Sequence, residues 1–205
     1  MAVVTFPSAR SALAPAPARE TIVAGIRANR LVVHYQPLIP LIPGIPPIDE
    51  ALVRLRTAGG TLLPPAAFLP TIMHDTAIVE LGEHVLFEAL GVLARRRRND
   101  TSGLAPRVSV NVAAAQFDGT LPATVRSMLA EHQLPADALV LEVSEGDAVG
   151  EHAKRDLEDL LALGVSVSID DYGSGMSHLA RLRDLPFDQV NLPALADGAS
   201  ESVVA

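Results

Sequence analysis

Apolar and polar residues alternate along this chain with two different periods, and the period changes at regular intervals. Short apolar runs at Leu31–Gln36, Ile48–Leu55, Arg107–Asn111, Leu139–Val143, Val165–Asp170 and Gln189–Leu192 have strand length and are rich in Val, Ile and Leu, which predicts six strands. Between them lie stretches in which apolar residues recur every three or four positions. Over Thr76–Arg98 that spacing puts Ile78, Leu81, Val85, Ala89 and Val92 on one helical face. Ala123–His132 and Asp147–Leu163 follow the same rule, and Gly164 closes the latter as a C-terminal cap. Ser177–Leu185 predicts a short helix stopped by Pro186, and Thr21 is placed to cap a helix running to about Ala28. Pro37, Pro40, Pro43, Pro46 and Pro47 remove ladder donors, which predicts a loop or broken hairpin over Pro37–Pro47.

Strand alternating with helix is the pattern of a parallel sheet with crossover helices, an α/β fold. The strand ends carry Gln36, Asn111, Glu142 with Glu145, and Asp170 with Asp171. In α/β barrels the active site stands where strands run into the following loops, so this distribution of polar ends points to a site there. Residues 1–20 are rich in Ala, Pro and Ser and read as a flexible tail or linker, leaving 21–205 as one domain.

Composition narrows what such a site can bind. Aromatic residues make up 3% of the 205, with no Trp, so there is little surface on which to stack bases and a general DNA or RNA binder is excluded. The core must come from Leu, Val, Ile and Ala. The net charge of -8 means that the overall field repels polyphosphate, so a phosphorylated ligand needs local help such as a metal ion. Cysteine is absent, which excludes disulfides and thiolate-bound zinc. No stretch reaches the about 20 apolar residues of a membrane span, and the start lacks the pattern of a secretory leader. The expectation is a soluble, cytoplasmic protein without membrane contact.

The candidate chemistry centres on Ser168-Ile169-Asp170-Asp171-Tyr172-Gly173-Ser174-Gly175. Adjacent carboxylates repel each other unless a cation neutralises them, although Asp-Asp also occurs in ordinary turns. Glu50 lies within the second strand, Asn111 ends the third, and Glu142 stands near the end of the fourth. Acids and an amide drawn from separate strands are oxygen ligands suited to Mg²⁺ or Mn²⁺. A pair of such ions activates water and stabilises a leaving oxygen in phosphodiester cleavage. Arg95-Arg96-Arg97-Arg98 reads as a helix end whose cations oppose the macrodipole and face water. Ser144 and Ser174 have no hydrolase motif around them, and the His residues show no zinc-protease spacing.

In order, the chain carries Tyr35-Gln36-Pro37, Glu50-Ala51-Leu52-Val53-Arg54, Val110-Asn111-Val112-Ala113, Leu141-Glu142-Val143-Ser144-Glu145 and Asp170-Asp171-Tyr172-Gly173-Ser174-Gly175. Taken together over Leu31 to Leu192, this ordered set resembles the EAL domain family, which hydrolyses cyclic di-GMP. The resemblance implies an incomplete TIM-like (β/α) barrel with about six of eight strands. It implies Glu50, Asn111, Glu142, Asp170 and Asp171 as ligands of Mg or Mn, with Glu50 and Asp171 catalytic. Gln36, Leu52 and Arg54 would bind cyclic di-GMP, Arg54 through a phosphate, for which its planar donors are suited.

Two departures bear on activity. Where the family has a Lys-x-Asp, the chain has Asn191-Leu192-Pro193, and an uncharged Asn cannot supply the cation that serves the attacking water. The family's later glutamate and Gln-Gly stretch have no counterpart before Ala205. The resemblance therefore implies a degenerate phosphodiesterase that binds cyclic di-GMP or a partner with little hydrolysis. The alternatives are an active enzyme yielding pGpG, or an interaction remnant that neither binds nor cleaves. A barrel short of two strands also has two open edges, through which copies of the chain would associate.

Overall fold

The computed structural model describes residues 3–5, 16–40, 46–144, 151–170, 189–195 and 199–204. Among the described residues the chain forms one nine-stranded sheet flanked by helices. The strands are β1 (Val3–Thr5), β2 (Leu31–Pro40), β3 (Ile48–Arg56), β4 (Leu62–Leu63), β5 (Arg107–Val112), β6 (Leu139–Ser144), β7 (Ser166–Asp170), β8 (Gln189–Leu195) and β9 (Ala199–Val204). The helices are α1 (Arg19–Arg27), α2 (Leu69–Ile72), α3 (Ala77–Arg98), α4 (Leu121–Glu131) and α5 (Glu151–Leu163). Five strands, β3, β5, β6, β7 and β8, run parallel in that spatial order.

The register sorts side chains between two faces, because successive residues of a strand point to opposite sides. Val110, Leu141 and Val167 are register partners, as are Val112, Val143 and Ile169. With Ala51, Val53 and Leu55 of β3 they face the helices, and all are buried. Against them pack Ile78, Leu81, Val85, Ala89, Leu90 and Leu93 of α3, together with Val125 of α4 and Leu157 and Leu160 of α5. The opposite face carries a second, small apolar cluster of Leu38, Ile48 and Val140, and holds the buried polar residues Ser109, Glu142 and Ser168.

Several expectations change. Beside the parallel strands, β2 runs antiparallel to β3, with Gln36 opposite Glu50 and Leu38 opposite Ile48. Pro37 lies inside β2 and Pro40 at its end instead of breaking it; proline's fixed φ is compatible with extended backbone. The two open edges are also not found. β9 pairs with β8, β1 pairs with β9 and with β2, and β2 pairs with β3. The ring is thus closed, with β4 alone attached outside it. The segments that close it contain Val3, Val4 and Thr5, and Val203 and Val204, whose β-branched side chains favour extended backbone. β1 lies within the stretch expected to be a tail, and α1 starts at Arg19, so Thr21 is inside the helix rather than its cap.

The expected helix over Ser177–Leu185 lies outside the described residues. The helix expected from Asp147 is described from Glu151. Among the described residues, no helix is long and apolar enough to cross a membrane.

Candidate functional site

The polar face of the sheet is where the sequence-predicted residues gather. Asn111 is the register partner of Glu142, and Glu142 of Ser168. Glu50 is the register partner of both Ser109 and Gln36. The period of two then places Leu52 and Arg54 on this same face of β3. Strands β2, β3, β5 and β6 therefore contribute Gln36, Glu50, Asn111 and Glu142 to one side of one sheet.

The contact between two of them is direct. The Asn111 Nδ2 donates to Glu50 Oε1 at 3.1 Å. Glu50 is half-buried and Asn111 exposed, whereas Glu142 is 3% exposed. A carboxylate buried that deeply is costly unless it is paired or neutralised. Around it the face is lined with small hydroxyls, and Ser109 and Ser168 are both buried. A cavity of about 390 Å³ adjoins Glu50 and Asn111; Leu52 and Ser144 line it too, as do Leu69, Met73 and Ile78 on the helix side. Its volume is within the range of small-molecule sites.

Arg54 is partly buried and its Nη1 donates to the Val53 carbonyl at 2.9 Å, which fixes the guanidinium close to the strand. Asp170 ends β7 as the register partner of Ser144, two residues beyond the Glu142–Ser168 pair. Its backbone position therefore belongs to the same face. Asp171 and Glu145 lie outside the described residues. Asn191 lies in β8, opposite Ser202 of β9.

Glu50, Glu142 and Asn111 offer two carboxylates and an amide oxygen on this face, and such a set suits a hard divalent cation. Among the described residues, no three His, Cys, Asp or Glu side chains cluster as a metal site, so a cation held by Glu50 and Glu142 would also need the Asn111 amide.

Sequence reasoning missed the outer support of this site. Asp49, next to Glu50, points to the helix side and pairs with Arg96 at the basic end of α3. The Arg96 guanidinium also lies 5.6 Å over the Tyr35 ring. The Tyr35 hydroxyl donates to the Glu88 carbonyl at 3.5 Å, and burial, helped by the Glu88 charge and opposed by Arg96 and Arg95, pushes its pKa up to about 12. Arg97 donates to the Pro106 and Ala105 carbonyls just before β5. The four arginines were expected to face water; instead two of them fasten α3 to the strands that carry Gln36, Glu50 and Asn111. A signal existed, because Tyr35 and Asp49 each directly adjoin a site residue in the sequence.

Comparison with known proteins gives the same assignment as the motifs. The family model described as "EAL domain" matches residues 19–196. The signaling protein YkoW of Bacillus subtilis (strain 168) is 32% identical over 170 residues, covering 82% of this chain and 21% of its own length. The bifunctional diguanylate cyclase/cyclic di-GMP phosphodiesterase MucR of Pseudomonas aeruginosa is 37% identical over 171 residues, covering 82% of this chain and 24% of its own. The chain thus spans about a quarter or less of the length of these two curated relatives. The solved structure of the MucR phosphodiesterase in complex with c-di-GMP superposes with a TM-score of 0.71 at 35% identity, over 84% of this chain and 70% of that one.

Proposed function

The chain belongs to the EAL domain family, and from that premise we propose that it binds cyclic di-GMP together with a divalent cation, with little or no hydrolysis. The observation that carries this reading is the meeting of Glu50 and Asn111 beside buried Glu142 on one face of the sheet. The family's phosphodiesterases are generally divalent-metal dependent, and the all-oxygen donor set here fits Mg²⁺ or Mn²⁺. Glu50, Asn111 and Glu142 would hold the ion, joined by Asp170 and Asp171 at the end of β7. When bound, the ion supplies positive charge for the ligand's phosphates, which an acidic chain cannot supply through its overall field.

The chain's own residues would divide the remaining work. The Asn111 amide holds the Glu50 carboxylate in one orientation through its Nδ2. Arg54 would present its fork to a phosphate, and Gln36 and Leu52 would border the dinucleotide.

Catalysis needs a further group to orient or deprotonate the attacking water. Asn191 stands where the resembling family has a lysine, and an amide carries no charge to do this. A missing preorganised charge of this kind typically lowers turnover by about 10²–10³-fold. This favours binding over hydrolysis.

Calorimetry of the chain with cyclic di-GMP in Mg²⁺, followed by chromatography of the same sample, tests both halves. Saturable binding at one site with the dinucleotide recovered intact is expected. No heat at high micromolar ligand would reject binding, and rapid accumulation of linear pGpG would reject the loss of turnover.

A further inference from the structure

Gln116 is a buried polar side chain outside the motif set, 7% exposed, at the end of a short turn over Ala114–Gln116. It makes two bonds to one residue. Its backbone N–H donates to the Ala113 carbonyl at 2.9 Å, and its side-chain Oε1 accepts from the Ala113 N–H at 3.0 Å. Ala113 is the first residue after β5, where the ladder stops supplying partners and the backbone groups need others. Asn111, whose amide holds Glu50, lies two residues earlier.

The far side of Gln116 rests on α3. A Cβ at Gly82 would stand 2.2 Å from Gln116 Nε2 and 2.5 Å from its Cδ. Only a hydrogen fits there, so the glycine is a notch into which the amide is seated. Gly82, Gln116, Ala113, Asn111 and Glu50 all line the same cavity. Two independent features, a reciprocal bond pair on the strand side and a steric notch on the helix side, thus converge on one glutamine.

We infer that Gln116, seated in the Gly82 notch, is a positioning residue that fixes the end of β5 and so aims the Asn111 amide at the metal-binding face. It touches neither ion nor dinucleotide; it acts through the Ala113 peptide. The inference rests on the reading above that Glu50 and Asn111 hold a divalent ion.

The test is Mn²⁺ affinity of the full chain, read from the electron-paramagnetic signal of free Mn²⁺. The variants are Gln116→Ala, Gly82→Ala, Asn111→Ala, Glu50→Ala and the Gln116→Ala/Asn111→Ala pair, each with a thermal melt. Gln116→Ala and Gly82→Ala should each weaken Mn²⁺ binding by about 10- to 100-fold, the scale of groups that orient metal ligands. In the Asn111→Ala background, Gln116→Ala should add less than about twofold, because residues acting through one another are not additive. A glutamine that serves only the fold would lower the melting temperature equally in both backgrounds without this coupling. The inference is overturned if Gln116→Ala leaves Mn²⁺ affinity unchanged while Asn111→Ala weakens it, or if the two losses simply multiply. If Asn111→Ala and Glu50→Ala both leave Mn²⁺ binding unchanged, the metal reading itself falls, and the inference with it. Should Gly82→Ala fail to fold, the Gln116→Ala cycle alone decides.

Discussion

Asp49 and Glu50 are adjacent in sequence and serve opposite faces of β3. Asp49 pairs with Arg96 on the helix side, while Glu50 accepts from Asn111 on the polar side. The motif singled out Glu50 as a candidate; nothing in the sequence singled out Asp49, since an acid has many possible partners and periodicity names none of them. Arg54 gives a residue-scale prediction. Its planar fork suits phosphate, so Arg54→Lys should lose nearly as much cyclic di-GMP affinity in calorimetry as Arg54→Ala. Near-complete rescue by lysine would show that charge alone suffices. Asp156 gives another. Burial first, and then the neighbouring Asp118 and Asp159, raise its pKa, against the opposing effect of the Gly119 N–H that it accepts at 3.1 Å. With the folded-state pKa raised, its contribution to stability is fully present below the unfolded value and is lost as pH rises through the raised one. Asp156→Asn keeps an acceptor for Gly119. In denaturant titrations it should match wild type in acid and equal or exceed it at pH 8. A variant less stable at pH 8 than at pH 4, relative to wild type, would contradict this.

At the scale of elements, α3 was the easiest to foresee, and it organises the molecule. Its apolar stripe Ile78, Leu81, Val85 and Ala89 is buried as the spacing requires. Its start differs by one residue, because the Asp75 carboxylate accepts the Ala77 N–H at 2.9 Å and does the capping from outside the helix. The Ala77 N–H, followed by Arg19, holds the Asp75 pKa below its ordinary value. Leu90 is fully buried at the middle of the stripe. Leu90→Ala should cost about 2–5 kcal/mol in urea unfolding, the range for leucine truncations that leave a cavity. Phe87→Ala should cost far less, since Phe87 is 37% exposed and stacks at the edge on His132. Equal losses would mean that α3 is docked by another face. The strands were legible to within a few residues. The proline-rich end of β2 was not, because composition signals a break there, whereas pairing with β3 and β1 keeps Leu38, Ile39 and Pro40 extended.

The whole molecule departs most from its sequence reading at the seam of the sheet. Six strands were legible by period; β1, β4 and β9 were not. β4 is two residues long, β1 is embedded in an Ala/Pro-rich stretch, and β9 carries only a weak alternation. Ring closure depends on long-range pairing that no local pattern encodes. Deleting residues 1–5 removes the strand between β9 and β2, and bare edges invite pairing between chains. Light scattering should then show concentration-dependent association that the full chain lacks. Identical behaviour of the two would mean that β1 does not seal the seam.

The candidate site is a property of this whole sheet, since its oxygens come from separate strands that meet only when the register is correct. Its most direct measurement is the anomalous diffraction of Mn²⁺ in crystals of the chain grown with cyclic di-GMP. The expected result is a peak at metal–oxygen bonding distance, about 2 Å, from Glu50, Asn111 and Glu142 together. A peak bound elsewhere, or dinucleotide density on this face with no ion at those three side chains, would contradict the account.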